Sequence, residues 1–319
     1  MDHYPAYTNG GLDPQADALL TAIAAEGPSP TAALTPSQAR ASFLRPSWLV
    51  TPREMAAVRD LSIPGPAGDL RLRTYHPHGG RPLPVLVFFH GGGFVVGSLD
   101  EFDAFCTILA DGAGCVVVSV DYRLAPEGKF PAAPEDAIAA LCWVGAHADE
   151  IDGDPTRLAV AGDSAGGNLA AVAALAARDE GGPVLVRQVL ISPWVDLSCA
   201  ETESFRWFGQ GGWLSTSSLR WYRDHYLASP EQALLPHASP ILAPDLRGLP
   251  PALILDSEFD ILHDQVRAFA LSLQEAGNAV DYRLCRGQLH DFVVLPGLFD
   301  SASSAIAEIC ESLRRSFRR

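Results

Sequence analysis

Ser164 lies at the centre of a sequence pattern that suits nucleophilic catalysis. Residues 162–166 read Gly-Asp-Ser-Ala-Gly and follow a short apolar run, which predicts a strand, a tight turn and then a helix. A serine hydroxyl is a weak nucleophile unless a base reaches it, and such a turn raises the side chain above the sheet. Glycines at 162 and 166 allow the strand and the helix to pass closely. The pattern therefore predicts that Ser164 is a nucleophile.

A run of three glycines follows a second apolar segment. Residues 84–89 predict a central strand buried on both faces, and His-Gly-Gly-Gly-Phe occupies 90–94 directly after it. A glycine loop leaves backbone N–H groups accessible, and these can hold the oxyanion formed when a carbonyl is attacked. The amide of Ala165 is expected to supply a further donor. His90 is expected to brace the turn, and a plain glycine turn is the alternative interpretation.

A general base and an acid should follow Ser164, because triads of this kind run Ser, then Asp or Glu, then His. His290 follows a predicted strand at 280–285 and is the natural base, whereas His263 is expected to begin a helix. The acid is expected after the strand at 251–255, since parallel α/β sheets place their ligands beyond the carboxyl ends of strands. Four acidic residues compete for that role: Asp256, Glu258, Asp260 and Asp264.

Five short motifs occur in a fixed order along the chain. They read HGGGF at 90–94, DYRLAPE at 121–127, FPAAPEDA at 130–137, GDSAGGN at 162–168 and Glu-x-Asp-x-Leu-x-Asp at 258–264. From about residue 60 onward the chain thereby resembles the bacterial hormone-sensitive-lipase-like esterases, the family IV carboxylesterases, in their GDSAGG subgroup. The resemblance implies an α/β-hydrolase fold and an ester hydrolase. It also implies a triad of Ser164, Asp260 and His290, with oxyanion donors at Gly92, Gly93 and Ala165.

Asp291 departs from the family pattern, in which glycine usually follows the catalytic histidine. If this position requires a left-handed backbone, Asp tolerates it better than most residues, although less freely than glycine. A carboxylate beside the imidazole would favour the protonated ring and shift activity towards higher pH. In the DYRLAPE segment, Asp121, Arg123 and Glu127 are expected to form structural salt bridges rather than a clamp beneath the active site.

The rest of the chain predicts one α/β-hydrolase catalytic domain over 51–319, with a mostly parallel sheet. Helical stretches at 132–147, 167–178 and 264–277 alternate with the apolar runs, which is typical of crossover units. Residues 1–50 are assigned to an N-terminal helical cap segment, with amphipathic stretches at 14–26 and 36–44 around a proline-rich 27–31. A second cap segment is expected at about 194–235, where aromatic residues concentrate. The residues expected to line a substrate pocket are Phe94, Trp194, Phe205 and Trp213.

Composition and charge restrict the function further. A net charge of −15 argues against nucleic-acid binding, which needs a basic face. The sequence shows no signal-like start and no run of about 18 apolar residues, so a cytoplasmic protein without a membrane span is expected. The six cysteines form no C-x-x-C pair and are interpreted as buried thiols in a reducing compartment. No metal site is expected because ligand spacing is absent, and the predicted serine chemistry needs no cofactor.

The predicted function is hydrolysis of short- to medium-chain acyl esters through an acyl-enzyme. The predicted partner is a small-molecule ester, and a homodimer is compatible with the sequence. Amide, carbamate or lactone hydrolysis by the same residues is the alternative within enzymes. A non-catalytic small-molecule receptor of the same fold is a further alternative, disfavoured because all three triad candidates are present.

Overall fold

The computed structural model describes residues 11–26, 31–43, 50–210 and 213–318. Within them an eight-stranded sheet has the order β1-β2-β4-β3-β5-β6-β7-β8. β1 and β2 pair antiparallel with each other, and β2 pairs antiparallel with β4, whereas the other neighbouring strands are parallel. The strands are β1 Ala57–Gly65, β2 Gly68–His76, β3 Leu83–Phe89, β4 Val116–Val120, β5 Gly153–Asp163, β6 Leu185–Ile191, β7 Ala252–Phe259 and β8 Val280–Leu289.

Helices cover both faces of this sheet. α3 and α9 pack together on one face, and α4 and α5 pack together on the other. The helices are α1 Pro14–Glu26, α2 Pro36–Ser42, α3 Leu99–Ala113, α4 Ala132–Ala146, α5 Ala165–Asp179, α6 Glu203–Phe208, α7 Thr216–Tyr226, α8 His263–Glu275 and α9 Asp300–Phe317. The predicted mostly parallel α/β architecture is confirmed.

The central strands are apolar because both of their faces are buried. In β3, Val87 and Phe89 enter the core beneath α4 and α5, while Leu86 and Phe88 enter the core beneath α3 and α9. Alternation of side chains along a strand sends neighbours to opposite faces, so a continuous apolar run is required there. The same two cores fix the carboxyl ends of β5, β7 and β8, which carry the candidate triad.

The predicted helices at 132–147, 167–178 and 264–277 correspond to α4, α5 and α8, and the stretch at 14–26 corresponds to α1. α2 begins at the predicted residue 36 and ends at Ser42. Residues 1–10, 27–30 and 44–49 of the expected N-terminal cap segment, and 211–212 of the second one, lie outside the described residues.

No predicted element corresponds to the β1–β2 hairpin or to α3. β1 is largely exposed and carries charged side chains, so it lacks the apolar run that marks the buried strands. The cysteine prediction was wrong in part: all six are free thiols, but Cys142 is exposed, and Cys199 and Cys285 are partly exposed. Among the described residues, no helix combines the length and the apolar character needed to cross a membrane.

Candidate active site

Ser164 occupies the turn between β5 and α5 in a backbone conformation that few residues adopt. Its φ is +53° and its ψ is −116°. A Cβ at Gly162 would collide with the backbone of Gly166, and a Cβ at Gly166 would collide with the carbonyl oxygen of Phe89. The Ser164 N–H donates to Ile191 O at 2.8 Å, which ties the turn to β6. The local packing therefore requires small residues at 162 and 166 and presents the hydroxyl at the sheet edge.

The structure brings Ser164, Asp260 and His290 into one hydrogen-bonded chain. The Nε2 atom of His290 lies 2.9 Å from Ser164 Oγ, and its Nδ1 atom lies 2.6 Å from Asp260 Oδ2. All three residues are buried, and Asp260 also accepts the N–H of Leu262 at 2.9 Å. The three residues follow β5, β7 and β8, so neighbouring regions of the same sheet edge supply the nucleophile, carboxylate and imidazole.

The glycine loop after β3 lies beside this chain. Gly92 has a φ of +114° and Gly93 a φ of +58°, conformations that glycine adopts without strain. A Cβ at Gly92 would collide with Val96 O, and one at Gly93 would collide with the ring of Tyr222. Ala165 is the first residue of α5, so its amide belongs to the group at a helix N-terminus that no intrahelical carbonyl accepts. The arrangement suits binding of an oxyanion.

Two side chains hold the glycine loop in place. Asp163, which precedes the candidate nucleophile, accepts the N–H of Gly91 through Oδ1 at 2.9 Å. The carbonyl of His90 accepts the Tyr122 hydroxyl at 2.7 Å, and the two rings stack with centroids 4.4 Å apart. The prediction that His90 braces the turn is confirmed. The role of Asp163 was missed, although its place in the GDSAGG motif gave a signal.

The charged residues of the DYRLAPE segment form salt bridges, as predicted. Arg123 pairs with the buried Asp136 at 2.8 Å, and Asp121 lies 3.6 Å from Arg71. Glu127 binds Arg40 of α2 through two hydrogen bonds of 2.6 and 3.0 Å. The last contact ties the N-terminal segment to the body of the protein.

A cavity of about 460 Å³ opens beside Ser164 and His290. Helix α7 and residues of the N-terminal segment form much of its wall, and Trp221 Nε1 of α7 donates to Leu34 O at 3.1 Å. The described residues that line the cavity are Thr31, Leu34, Ala39, Ser42, Phe43, Gly92, Gly93, Ser164, Trp194, Trp213, Leu214, Leu219, Tyr222, His290, Asp291 and Leu295.

Two of the four predicted pocket residues lie elsewhere. Trp194 and Trp213 line the cavity, but Phe94 and Phe205 do not. Phe94 has a φ of +64°, is fully buried, and stacks on Tyr226 with centroids 3.9 Å apart. Phe205 is buried in the core. Both rings are instead taken up by apolar packing in the core. Leu219 and Tyr222 lie three positions apart along α7 and line the cavity, although neither was among the four predicted pocket residues.

Asp291 lies directly beside the candidate base. Its backbone is left-handed, with a φ of +56° and a ψ of +20°, which is the conformation anticipated for this position. Its Oδ2 atom is 3.2 Å from His290 Nε2. Burial lowers the pKa of His290, but the charges of Asp260 and Asp291 outweigh that effect and raise this pKa well above its usual value.

The other three acidic candidates have different partners. Asp256 lies 2.8 Å from His263 Nδ1 and accepts the Tyr282 hydroxyl at 2.5 Å. Glu258 accepts the N–H of Gly287 at 2.7 Å. Asp264 accepts the N–H of Ser204, at the start of α6, also at 2.7 Å. Spacing in the sequence could not separate these residues, because their partners come from distant parts of the chain.

Among residues 11–26, 31–43, 50–210 and 213–318, no three His, Cys, Asp or Glu side chains are grouped to hold a metal ion. The candidate chemistry is that of the serine, the imidazole and the backbone amides. In that arrangement a proton can pass from Ser164 to His290 while the adjacent amides receive negative charge.

Comparison with known proteins gives a consistent result. A family described as having the alpha/beta hydrolase fold matches residues 86–294. The chain is 45% identical to the carboxylic ester hydrolase LipN of Mycobacterium tuberculosis, over 82% of this chain and 71% of that protein. It is 38% identical to an ethyl acetate hydrolase of Pseudomonas putida, over 90% and 92%.

A solved esterase of Pyrobaculum calidifontis superposes with a TM-score of 0.89 and 39% identity, covering 95% of this chain and 98% of that one. The resemblance drawn from the five motifs is thereby confirmed. The chain belongs to the α/β hydrolase fold family, in its hormone-sensitive-lipase-like branch.

Proposed function

We propose that this protein is a serine carboxylesterase that hydrolyses esters with acyl chains of about two to eight carbons. The observation that carries the proposal is the hydrogen-bonded chain from Asp260 through His290 to Ser164, at the wall of a largely apolar cavity. The relatives named as ester hydrolases support the same reaction class.

In the first half of the reaction, Ser164 Oγ attacks the ester carbonyl while His290 Nε2 takes the hydroxyl proton. Asp260 accepts the Nδ1–H bond, orients the ring and stabilises the imidazolium. The amides of Gly92, Gly93 and Ala165 hold the tetrahedral oxyanion. His290 then returns the proton to the alcohol oxygen, and the C–O bond to that oxygen breaks. The acyl group remains on Ser164.

In the second half, water takes the place of the alcohol. His290 accepts a proton from the water as its oxygen attacks the acyl carbonyl, and the same amides hold the second oxyanion. Collapse of this intermediate breaks the bond to Ser164 Oγ, which recovers its proton from His290. The carboxylic acid leaves, and the enzyme is restored.

The N-terminal segment and residues of about 194–235 are proposed to form the cap of this site. Their residues Leu34, Phe43, Trp213 and Leu219 line the cavity. The cavity volume of about 460 Å³ falls near the lower end of the roughly 300–1,000 Å³ found for small-molecule sites. The largely apolar lining and modest volume support substrates with short or medium acyl chains.

A series of p-nitrophenyl esters with acyl chains from two to sixteen carbons tests the proposal. We expect kcat/KM to be highest between about two and eight carbons and to fall steeply beyond, because a longer chain exceeds the cavity. Efficient hydrolysis of emulsified triolein with interfacial activation would contradict the assignment and indicate a true lipase. Faster turnover of matched anilides, carbamates or lactones than of esters would favour the alternative hydrolase reactions.

The proposal includes action in the cytoplasm on small-molecule substrates. The six free cysteines support a reducing compartment. Detection of the protein outside the cytoplasmic fraction of its native cells would contradict this part.

A further inference from the structure

The cavity wall carries one carboxylate that the proposed triad does not use. Asp291 is part of the lining, its side chain is only 13% exposed, and its Oδ1 atom is buried with no hydrogen-bond partner among the residues that the structure describes. No lysine or arginine is among the described residues that line this cavity. When His290 is in the neutral form that acts as the base, the wall therefore presents the negative charge of Asp291 to whatever enters, and no lysine or arginine of the described lining neutralises it.

Aromatic rings lie in the same lining. Trp194, Trp213 and Tyr222 all contribute to the wall, and Trp213 remains partly exposed. Burial and the nearby charge of Asp291 raise the pKa of Tyr222 to about 12, so its phenol stays neutral at ordinary pH. Aromatic faces attract cations, and a carboxylate beside them adds to that attraction. Together these groups form a chemical environment that favours a positively charged ligand.

The position of Asp291 indicates which part of an ester would meet this environment. His290 Nε2 must deliver a proton to the departing alcohol oxygen, and Asp291 Oδ2 lies 3.2 Å from that nitrogen. The alcohol portion of the ester therefore passes close to the carboxylate. The acyl portion is instead bonded to Ser164 Oγ through its carbonyl carbon, and it is not the part that receives the proton from His290.

We infer that Asp291 is a specificity-determining residue that selects esters whose alcohol portion carries a positive charge, such as a quaternary ammonium group. This inference rests on the proposed ester hydrolysis and adds the charge preference of the alcohol site. Esters with an anionic alcohol portion are expected to be poor substrates, because their charge and that of Asp291 repel each other.

The selectivity should appear in KM rather than in kcat. Transfer of the Ser164 proton to His290 moves charge within the site, but the total charge of the enzyme–substrate complex does not change. Asp291 therefore attracts the cation about equally before and during the reaction. An interaction that is equally strong in the ground state and the transition state lowers KM and leaves kcat unaltered.

A pair of esters that differ only in charge provides the test. Butyrylcholine and 3,3-dimethylbutyl butyrate have nearly the same shape, with a quaternary nitrogen in one and a quaternary carbon in the other. For the native enzyme we expect kcat/KM for butyrylcholine to exceed that for the neutral ester by about tenfold, through a lower KM. In Asp291→Asn the ratio should fall to about twofold or less.

The ratio of the two kcat/KM values separates selection by substrate charge from any effect of the substitution on His290. Any change in the pKa of His290 affects both esters equally and cancels, provided that rates are taken on the plateau of each pH profile. Asp291→Gly serves as a second neutral variant, since glycine readily adopts the left-handed backbone. Asp69→Asn is the matched control, because it removes an exposed charge at the β1–β2 turn, away from the cavity lining, and should leave the ratio unchanged.

The outcomes distinguish the inference from the proposed function. A ratio near or below one in the native enzyme, or a ratio that Asp291→Asn leaves unchanged, overturns the inference while hydrolysis of the neutral ester upholds the esterase proposal. If neither ester nor any p-nitrophenyl ester is hydrolysed by folded protein, the proposed function fails and the inference fails with it. A native ratio that declines with added salt and collapses in both Asp291 variants supports it.

Discussion

Two buried histidine–aspartate pairs lie next to each other at the carboxyl ends of β7 and β8, and they differ in what surrounds them. In one, His290 Nδ1 is 2.6 Å from Asp260; in the other, His263 Nδ1 is 2.8 Å from Asp256. Both carboxylates are essentially inaccessible to solvent. The first pair faces Ser164 and the cavity, whereas the Asp256 carboxylate of the second also accepts the Tyr282 hydroxyl.

The comparison shows that a buried histidine–aspartate pair does not by itself make the histidine a catalytic base. An imidazole can act as a base when its second nitrogen faces a nucleophile that substrate can reach. The Nε2 atom of His290 lies 2.9 Å from Ser164 Oγ, beside the cavity. His263 begins α8 and is almost fully buried, so its pair with Asp256 joins the end of β7 to that helix. The first arrangement is suited to proton transfer, and the second to holding the loop that carries Asp260.

The largest expected difference is in activity. Asp260→Asn should lower kcat by about 10⁴-fold, because the amide no longer holds His290 in the required tautomer or stabilises its charged form. Asp256→Asn and Asp264→Asn should retain most of the activity at temperatures where they are folded. Steady-state kinetics on p-nitrophenyl butyrate, with circular dichroism to verify folding, measures all three variants.

The same experiment can overturn the assignment of Asp260 as the acid of the triad. If Asp256→Asn is the inactive folded variant and Asp260→Asn remains active, the acid has been placed at the wrong carboxylate. Loss of activity in both folded variants would show that the two pairs act as one catalytic unit.

The next effect is on stability. Burial lowers the pKa of His263, but Asp256 and the other nearby carboxylates outweigh this and raise it above its usual value. His263→Ala removes the partner of a buried carboxylate and should reduce the free energy of unfolding by about 3 kcal/mol. Urea denaturation measures this loss.

The pH dependence of this stability loss tests whether the charged His263–Asp256 pair causes it. Because the folded-state pKa of His263 is raised, its stabilising effect should be fully present below the unfolded value of about 6.5 and fade as the pH rises through the folded value. The stability difference between native protein and His263→Ala should therefore narrow at alkaline pH. A difference below about 0.5 kcal/mol at pH 6 would contradict a structural role for this pair.

The smallest expected effect is a shift in the pH profile of the His290 pair. Because Asp291 helps to raise the pKa of His290, the neutral base predominates only at higher pH. Asp291→Asn should lower this pKa and move the acidic limb of kcat/KM to lower pH. Asp291→Gly should do the same, whereas Asp264→Asn should leave the limb in place. An unmoved limb in both Asp291 variants would show that this carboxylate does not influence the base.

The parts of the fold that were predictable are those with local signals. β3 is a continuous apolar run, β5 and β7 contain shorter apolar runs at 158–161 and 252–255, and the turn at Ser164 requires glycines on both sides, so sequence patterns mark them directly. The β1–β2 hairpin carries no such signal because its outer strand is mostly exposed. Its position depends on pairing with β4, which is distant in sequence.

The pocket was harder to predict than the candidate triad because aromatic residues serve both as core and as lining. Phe94 and Trp194 were both predicted to line the pocket, but only Trp194 reaches the cavity, while Phe94 stacks on Tyr226. Likewise, spacing alone could not choose Asp260 over Asp256, since the choice depends on which histidine each meets. Such contacts arise only when separate strands are assembled.

Covalent labelling with a p-nitrophenyl alkylphosphonate tests the central claim most directly. The account predicts release of one equivalent of p-nitrophenol per active enzyme, complete loss of esterase activity, and a phosphonyl group on Ser164 in the peptide mass spectrum. Ser164→Ala should remain folded, release no burst and lose activity by at least about 10³-fold. A label on another residue, or a folded Ser164→Ala variant that retains most of its activity, would contradict the account.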